Sequence, residues 1–234
     1  MKHILVILLL VIPSIFMAQN INQMDENGKR HGIWKKNFDN TQIVRYEGEF
    51  NHGKEIGLFK FYKNINKEAV LTATKDFNVK DDVAEVIFYA SNRKIISQGK
   101  MRGKNHIGEW KYYHKDGKQI MNIEHYNAQG QLDGESLVYY NTGQMAEKRF
   151  YKQNKLDGKA TWFYENGKEM KTYIYKKGIL HGEAKFYNAS GALEIDGQYK
   201  NDKKDGIWKY YKDGELSEEK DFTVYSKNPY LIKE

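Results

Sequence analysis

Apolar and polar residues alternate in short runs along nearly the whole chain, and the runs recur in phase. The stretch from Gly158 to Gly182, GKATWFYENGKEMKTYIYKKGILHG, shows the unit. A glycine opens it, an aromatic-rich run follows at Trp162, Phe163 and Tyr164, an Asn166-Gly167 pair interrupts, and a second run ends at Tyr175. In the first run Ala160 and Trp162 share one side of an extended chain and Thr161 and Phe163 the other, because side chains alternate along a strand. Tyr173-Ile174-Tyr175 favours the same state, since aromatic and β-branched residues suit a pleated surface. No unit carries a helical spacing of apolar residues. Each unit therefore predicts two short strands and two turns.

The opening glycine recurs as Gly32, Gly57, Gly108, Gly134, Gly158, Gly182 and Gly206, with Ala84 in its place in the third unit. Five positions later stands a Tyr or Phe in seven of the units: Tyr62, Tyr89, Tyr113, Tyr139, Phe163, Tyr187 and Tyr211; the first unit has Asn37 there and Phe38 next. A second large column, seven before the next opener, reads Phe50, Phe77, Met101, Tyr151, Tyr175 and Tyr199, with Tyr126 one position out of step beside an extra residue near Gly130. Asp116-Gly117, Thr142-Gly143, Asn166-Gly167, Ser190-Gly191 and Asp213-Gly214 are expected to turn the chain inside the units by supplying positive φ. Arg30-His31-Gly32, Leu156-Asp157-Gly158, Leu180-His181-Gly182 and Lys204-Asp205-Gly206 are expected to form the turns between units. Hairpin after hairpin gives an all-β protein, an elongated single-layer antiparallel meander of about eight hairpin repeats of roughly 24 residues. Sixteen strands at about 4.8 Å apiece would extend roughly 75 Å, twisted and curved. Residues 63–105 fit the pattern least well, with strands expected at Phe59–Tyr62, Val70–Phe77, Val86–Tyr89 and Ile95–Met101.

Before the repeats, Met1-Lys2-His3 leads into an apolar run from Ile4 to Phe16 and then small Ala18. A membrane-spanning helix needs about 20 apolar residues. The run is shorter, and its positive, apolar, small order is that of a cleaved secretory signal over residues 1–18. The division that follows is a repeat domain over 19–222 and a tail or cap over 223–234. Export would place the protein in a periplasm or outside the cell. The chain has no cysteine, so neither a disulfide nor a lipid-modified cysteine is open to it. Its formal charge is +7, or +6 without Lys2, with acids and bases interleaved rather than gathered into the basic stripe of a nucleic-acid site. Nucleic acid is therefore not an expected partner.

The motif G-x-W-x-Y-Y followed by a D-G or N-G-K turn, as in Gly108-Glu109-Trp110-Lys111-Tyr112-Tyr113 and Gly206-Ile207-Trp208-Lys209-Tyr210-Tyr211, resembles the MORN repeat in its bacterial variant form. The resemblance extends over about residues 28–222. It implies a single-layer array of hairpins used as a scaffold, a dimerisation surface or a membrane-apposed module, and members that look like this chain are often labelled antitoxins. It implies no catalytic residue, because the motif contains none.

The residues themselves offer no catalytic constellation either. There is no nucleophile elbow, phosphate loop or cysteine nucleophile. The seven histidines include His31 and His181 at one repeat position in distant units, and none recurs with a carboxylate at ligand spacing. Neither a cofactor nor a metal is expected. Glu109, Glu135 and Glu183 follow the opener, with Lys111 and Lys185 two residues beyond Glu109 and Glu183; cross-strand charge pairing on a wet face accounts for them better than a charged binding strip. The candidate binding residues are the aromatic column Tyr113, Tyr139, Phe163, Tyr187 and Tyr211, which packing also explains. The function expected is a non-enzymatic, exported interaction scaffold for a protein partner, of antitoxin or immunity type. The alternative is a structural or membrane-apposed envelope component that self-associates or contacts anionic lipid or glycan.

Overall fold

A computed structural model describes residues 20–223; the signal over 1–18 and all but the first residue of the 223–234 tail lie outside them. Every unit read from the sequence is a hairpin. After a two-residue strand β1 (Gln23–Met24), the first unit pairs β2 (Arg30–Asn37) with β3 (Val44–Asn51) and the second β4 (Lys54–Ile65) with β5 (Glu68–Phe77). The third joins β6 (Val83–Tyr89) to β7 (Ile95–Arg102) and the fourth β8 (Asn105–Tyr113) to β9 (Ile120–Tyr126). The fifth is β10 (Leu132–Tyr139) with β11 (Met145–Lys152), and the sixth is β13 (Gly158–Phe163) with β14 (Glu169–Lys176), entered through the two-residue β12 (Lys155–Leu156). β15 (Ile179–Tyr187) with β16 (Leu193–Lys200) and β17 (Lys203–Lys212) with β18 (Glu215–Asp221) complete the eight. Each long strand pairs antiparallel with its neighbours in sequence. The whole is one open meander, and the region 63–105 obeys the rule with strands longer than expected.

The registers explain the two columns. In every unit the opener lies across the hairpin from the second-column residue: Gly32 from Phe50, Gly57 from Phe77, Ala84 from Met101, Gly134 from Tyr151, Gly182 from Tyr199. Tyr126 holds the same place opposite Gly108. Its apparent slip in sequence is absorbed in the link to the next unit. The register shifts just before each first-column residue, for instance between Tyr112 and Tyr113 or Phe186 and Tyr187. The extra residue of the bulge is on the second strand, so the first strand keeps its alternation. First-column residues then face one side of the sheet, and the second column faces the other.

Two expectations about turns are corrected. The opener triplets do not turn the chain; three lie inside strands and Leu156-Asp157-Gly158 runs from β12 into β13, and the turns between units come earlier, at His52-Gly53, Gln153-Asn154, Lys177-Gly178 and Asn201-Asp202, where both residues have positive φ. Within units, Gly117, Gly143, Gly167 and Gly191 have positive φ but their predecessors do not, and the bond from Gly117 N–H to His114 C=O marks a type I turn ended by a left-handed glycine. Only Asp213-Gly214, of the five pairs named, has positive φ at both residues. The glycine openers from the second unit on have positive φ for a different reason: each sits in a bulge where the unit's first strand crosses the preceding strand. The third unit is the control. Ala84 takes no positive φ, and β5 pairs with β6 without any register shift. A residue with a Cβ occupies the opener where the bulge is missing.

The core is a row of residues two after each opener. Phe59, Val86, Trp110, Ala160, Ala184 and Trp208 are fully buried. A large ring here lies on a glycine of the preceding strand: Phe59 on Gly48, Trp110 on Gly99, Trp208 on Gly197. Where the ring is replaced by Ala184, the preceding strand supplies Tyr173 instead. Large faces small at these junctions, which is how one layer reaches dense packing without a second.

Candidate interaction surfaces

A single layer has two faces, and the alternation gives them different chemistry. On the aromatic face the second column and the core row interlock in edge contacts. Trp34, Phe50, Phe59 and Phe77 follow one another at 5.9, 5.1 and 5.4 Å between ring centres. Trp162, Tyr173, Tyr199 and Trp208 form a second series at 5.6, 6.0 and 5.1 Å. Edge-to-face rings at such distances contribute about 0.5–1.5 kcal/mol beyond their burial. Many of these rings, including Tyr112, Tyr151, Tyr175 and Phe186, stay half-buried.

In three units the residue two before the opener covers the residue two after it. Arg30 lies over Phe50 at 4.3 Å and reaches Trp34, His106 stacks on Trp110 at 3.6 Å, and Lys204 lies over Trp208 at 3.9 Å. Where the later position is Ser136, Ala160 or Ala184, the earlier one is Leu132, Leu156 or Leu180. Six repeats thus form two kinds, a ring under a flat or cationic cap and a small residue with leucine, while the second and third carry Glu55 with Phe59 and Asp82 with Val86. This coupling was readable in the sequence at a spacing of four, but it makes sense only once the opener bulge brings both residues to one face.

The middle of the aromatic face is polar. Tyr126 donates to Glu124 at 2.5 Å, Tyr112 and Tyr126 hydroxyls meet at 3.3 Å, and Asn122 donates to the other Glu124 oxygen at 2.9 Å. Burial and then the Glu124 carboxylate push the Tyr126 hydroxyl pKa well up. Beside this cluster Arg149 pairs with Glu147 at 3.1 Å, and burial outweighs that cation in raising the Glu147 pKa. Asn122 Oδ1 and Arg149 Nε are buried without a hydrogen-bond partner. The aromatic series at the two ends are therefore separated by a polar, partly unsatisfied centre.

The opposite face is charged. Glu135 meets Lys148 across strands at 2.7 Å, whereas Glu109–Lys111 at 3.0 Å and Glu183–Lys185 at 3.4 Å run along a single strand. These carboxylates are paired with lysines, as expected, though two of the three pairs are not cross-strand. An open trough of about 560 Å³ lies on this face over the second to fourth units, lined by Leu58, Asp76, Glu85, Ile87 and Lys100 among others.

The five candidate residues Tyr113, Tyr139, Phe163, Tyr187 and Tyr211 lie on this charged face beside the turns, each half-buried. Their partners across the hairpins are Ile120, Met145, Glu169, Leu193 and Leu216. Successive members are two strands apart, about 9.6 Å, and among the described residues no ring contact joins any two of them. They form a spaced row instead of a stack. The backbone of the row ties the units together: His114 Nε2 lies 3.2 Å from the Tyr139 carbonyl, and the Tyr140 and Tyr164 hydroxyls donate to the carbonyls of Phe163 and Tyr187 at 2.6 and 2.9 Å.

The histidines are used in packing and bonding. His31 and His52 rings lie 4.8 Å apart, and His125 Nδ1 is 2.8 Å from the Glu135 carbonyl. Among the described residues no group of three or more His, Asp or Glu is placed to hold a metal ion.

The geometry defines the class: an open β-hairpin repeat protein built as one layer. Residues 132–153, 156–177 and 180–201 each match the MORN repeat variant, so the fifth, sixth and seventh units are repeats of that kind. The three matches begin at Leu132, Leu156 and Leu180, so they fall on the leucine-capped kind of repeat and not on the tryptophan motifs at Gly108 and Gly206. No curated protein matches the chain. MORN repeats are modules of protein and lipid interaction, and theirs is not a known enzyme family.

Proposed function

We propose that the protein is a non-enzymatic scaffold whose aromatic face receives an extended segment of a protein partner. The observation that carries this reading is the run of half-buried rings along a sheet that has no covering layer in the described residues. Tyr and Trp offer large contact area with little conformational entropy to lose, and they dominate protein interfaces for that reason. The polar centre at Glu124, Glu147 and Arg149 would set the partner's register, because a segment that leaves these groups unpaired is rejected. The opposite face, with its lysines and carboxylates already paired, is the solvated side, and the row from Tyr113 to Tyr211 serves mainly to close the hairpins. Residues 1–18 act as an export signal in this reading, and the partner is met in the periplasm or outside the cell. An antitoxin or immunity role is the case in which that partner is a toxic protein.

The test is photo-crosslinking. A benzophenone amino acid replaces Tyr112, Tyr175 or Tyr199 on the aromatic face, or Tyr139 or Tyr187 on the charged face, in cells of the source organism. Crosslinks to one heterologous protein from the aromatic positions alone are expected. Crosslinks from the charged face alone would move the site to the Tyr113–Tyr211 row. Crosslinks to lipid or glycan in place of protein would favour the envelope-component reading.

A further inference from the structure

Lysines are held differently on the two faces. On the charged face of the last three units Lys159, Lys185 and Lys209 each have a carboxylate: Glu169 at 3.3 Å, Glu183 at 3.4 Å and Glu219 at 4.0 Å. On the aromatic face of the same units Lys171 and Lys204 have rings in place of carboxylates. Lys171 Nζ lies over Trp162 and Tyr173 at 4.7 and 5.7 Å. Lys204 Nζ lies over Trp208 and Phe222 at 3.9 and 4.9 Å, and it donates to the Tyr210 hydroxyl at 3.3 Å. A ring face attracts an ammonium, yet it satisfies the three N–H groups less well than an ionised acceptor does.

These two ammonium groups stand at the ends of one row across the sheet. Lys171 faces Phe186, Phe186 faces Ile195 and Ile195 faces Tyr210, whose hydroxyl holds Lys204. From Lys171 to Tyr210 is three strand spacings, about 14 Å. The floor between them is apolar and half-buried, with Phe186 and Ile195 in the row and the Tyr173 ring 5.6 Å from Phe186. The carboxylates that follow at either end of the row are already engaged. Glu147, beyond Trp162, pairs with Arg149 at 3.1 Å, and Glu218, beyond Tyr210, pairs with Lys220 at 3.2 Å.

We propose that the segment received by this half of the aromatic face is acidic, with two carboxylate side chains four residues apart and an apolar one midway. The inference rests on the reading that the face takes an extended protein segment, and it names the chemistry of that segment. In an extended chain residues i, i+2 and i+4 point to one side and span about 14 Å, which is the length of the row. The outer two meet Lys171 and Lys204, and the middle one lies on Phe186 and Ile195. Binding adds a carboxylate to each ammonium without breaking an ion pair already present. A basic residue at either outer place would meet a like charge, so basic segments are rejected.

The test pans a phage-displayed library of random twelve-residue peptides on the purified full chain, as processed by the expressing cell. Enriched peptides are synthesised, labelled and titrated by fluorescence polarisation. Enrichment of the pattern acid-x-apolar-x-acid is expected, with binding weakened at about 1 M salt, where screening acts within roughly 3 Å. K171Q and K204Q should each weaken that binding several-fold and together remove most of it, with melting unchanged. K185Q/K209Q on the opposite face should leave it as it is, and K171E/K204E should turn the selection towards basic peptides. Enriched peptides that lack acids, yet crosslink to benzophenone at Tyr175 or Tyr199, would overturn this inference and leave the protein-partner reading standing. Acidic peptides indifferent to K171Q/K204Q would also overturn it. No enriched peptide, together with binding to anionic phospholipid vesicles that K171Q/K204Q removes, would overturn both and give these lysines to a lipid surface.

Discussion

At the scale of single residues, the layer depends on glycines that leave room for rings. A Cβ on Gly99 would stand 2.6 Å from the Trp110 ring, closer than packed atoms approach. Gly99→Ala is therefore expected to cost about 1–3 kcal/mol, the usual penalty for overfilling a packed site, and Trp110→Ala about 3–5 kcal/mol. Thermal unfolding of the two variants checks both values, and combining them should cost less than the sum because the second change removes the clash created by the first. A different single-residue effect holds the turn between β1 and β2. The Asp25 carboxylate accepts the Lys29 and Asn27 N–H groups and lies 2.6 Å from His52 Nδ1. The Lys29 N–H first, and then His52, hold its pKa below the ordinary 3.8. A depressed carboxyl pKa contributes stability that is fully present above the unfolded value and is lost as pH falls through the folded one. Hydrogen-exchange protection of residues 22–29 should accordingly stay level from neutral pH to about 4 and drop below it. In Asp25→Asn the protection should be lower at neutral pH and lack that acid transition.

At the scale of the element, the two kinds of repeat predict which units can be removed. Deleting 158–181 brings the fifth unit against Ala184 and Leu180's counterpart Leu156, the same small residue and leucine that it met before. The shortened sheet should fold and melt cooperatively, since a stacked array depends on nearest-neighbour junctions. Deleting 182–205 removes the same number of residues but sets Trp208 against Tyr173, with Gly197 and Lys204 both gone. That variant should melt clearly lower or expose hydrophobic surface to a reporter dye. Equal melting of the two deletions would show that the junction rule of large against small has no energetic weight. The opener bulge is an element-scale feature too: a left-handed glycine lets the strand cross its predecessor with extra residues, and Ala84 marks the one junction that runs straight.

At the scale of the whole molecule, the absence of a second layer among the described residues makes length the dominant dimension. Sixteen long strands give roughly 75 Å along the sheet, and solution scattering should return an elongated particle of about that extent for a single chain. The aromatic face and the charged face run along the whole of that length.

The hairpins, their number and the positions of both aromatic columns were legible in the sequence, because a strand alternates with a period of two and each unit must repeat the contacts of the last. The identity of the repeat was legible from the same glycines and rings. Three things were decided only by tertiary structure. The opener triplets look like turns because glycine, asparagine and aspartate serve both turns and bulges, and only the pairing partners distinguish them. The row from Tyr113 to Tyr211 looks like a continuous ladder in an alignment, yet an intervening strand keeps its rings about 9.6 Å apart. The division into an aromatic and a charged face depended on which strand carries each bulged residue, since an extra residue on the first strand would have turned Tyr113 and its equivalents to the other side. Sequence periodicity fixes the order of contacts along a strand; the register between strands determines which of those contacts meet.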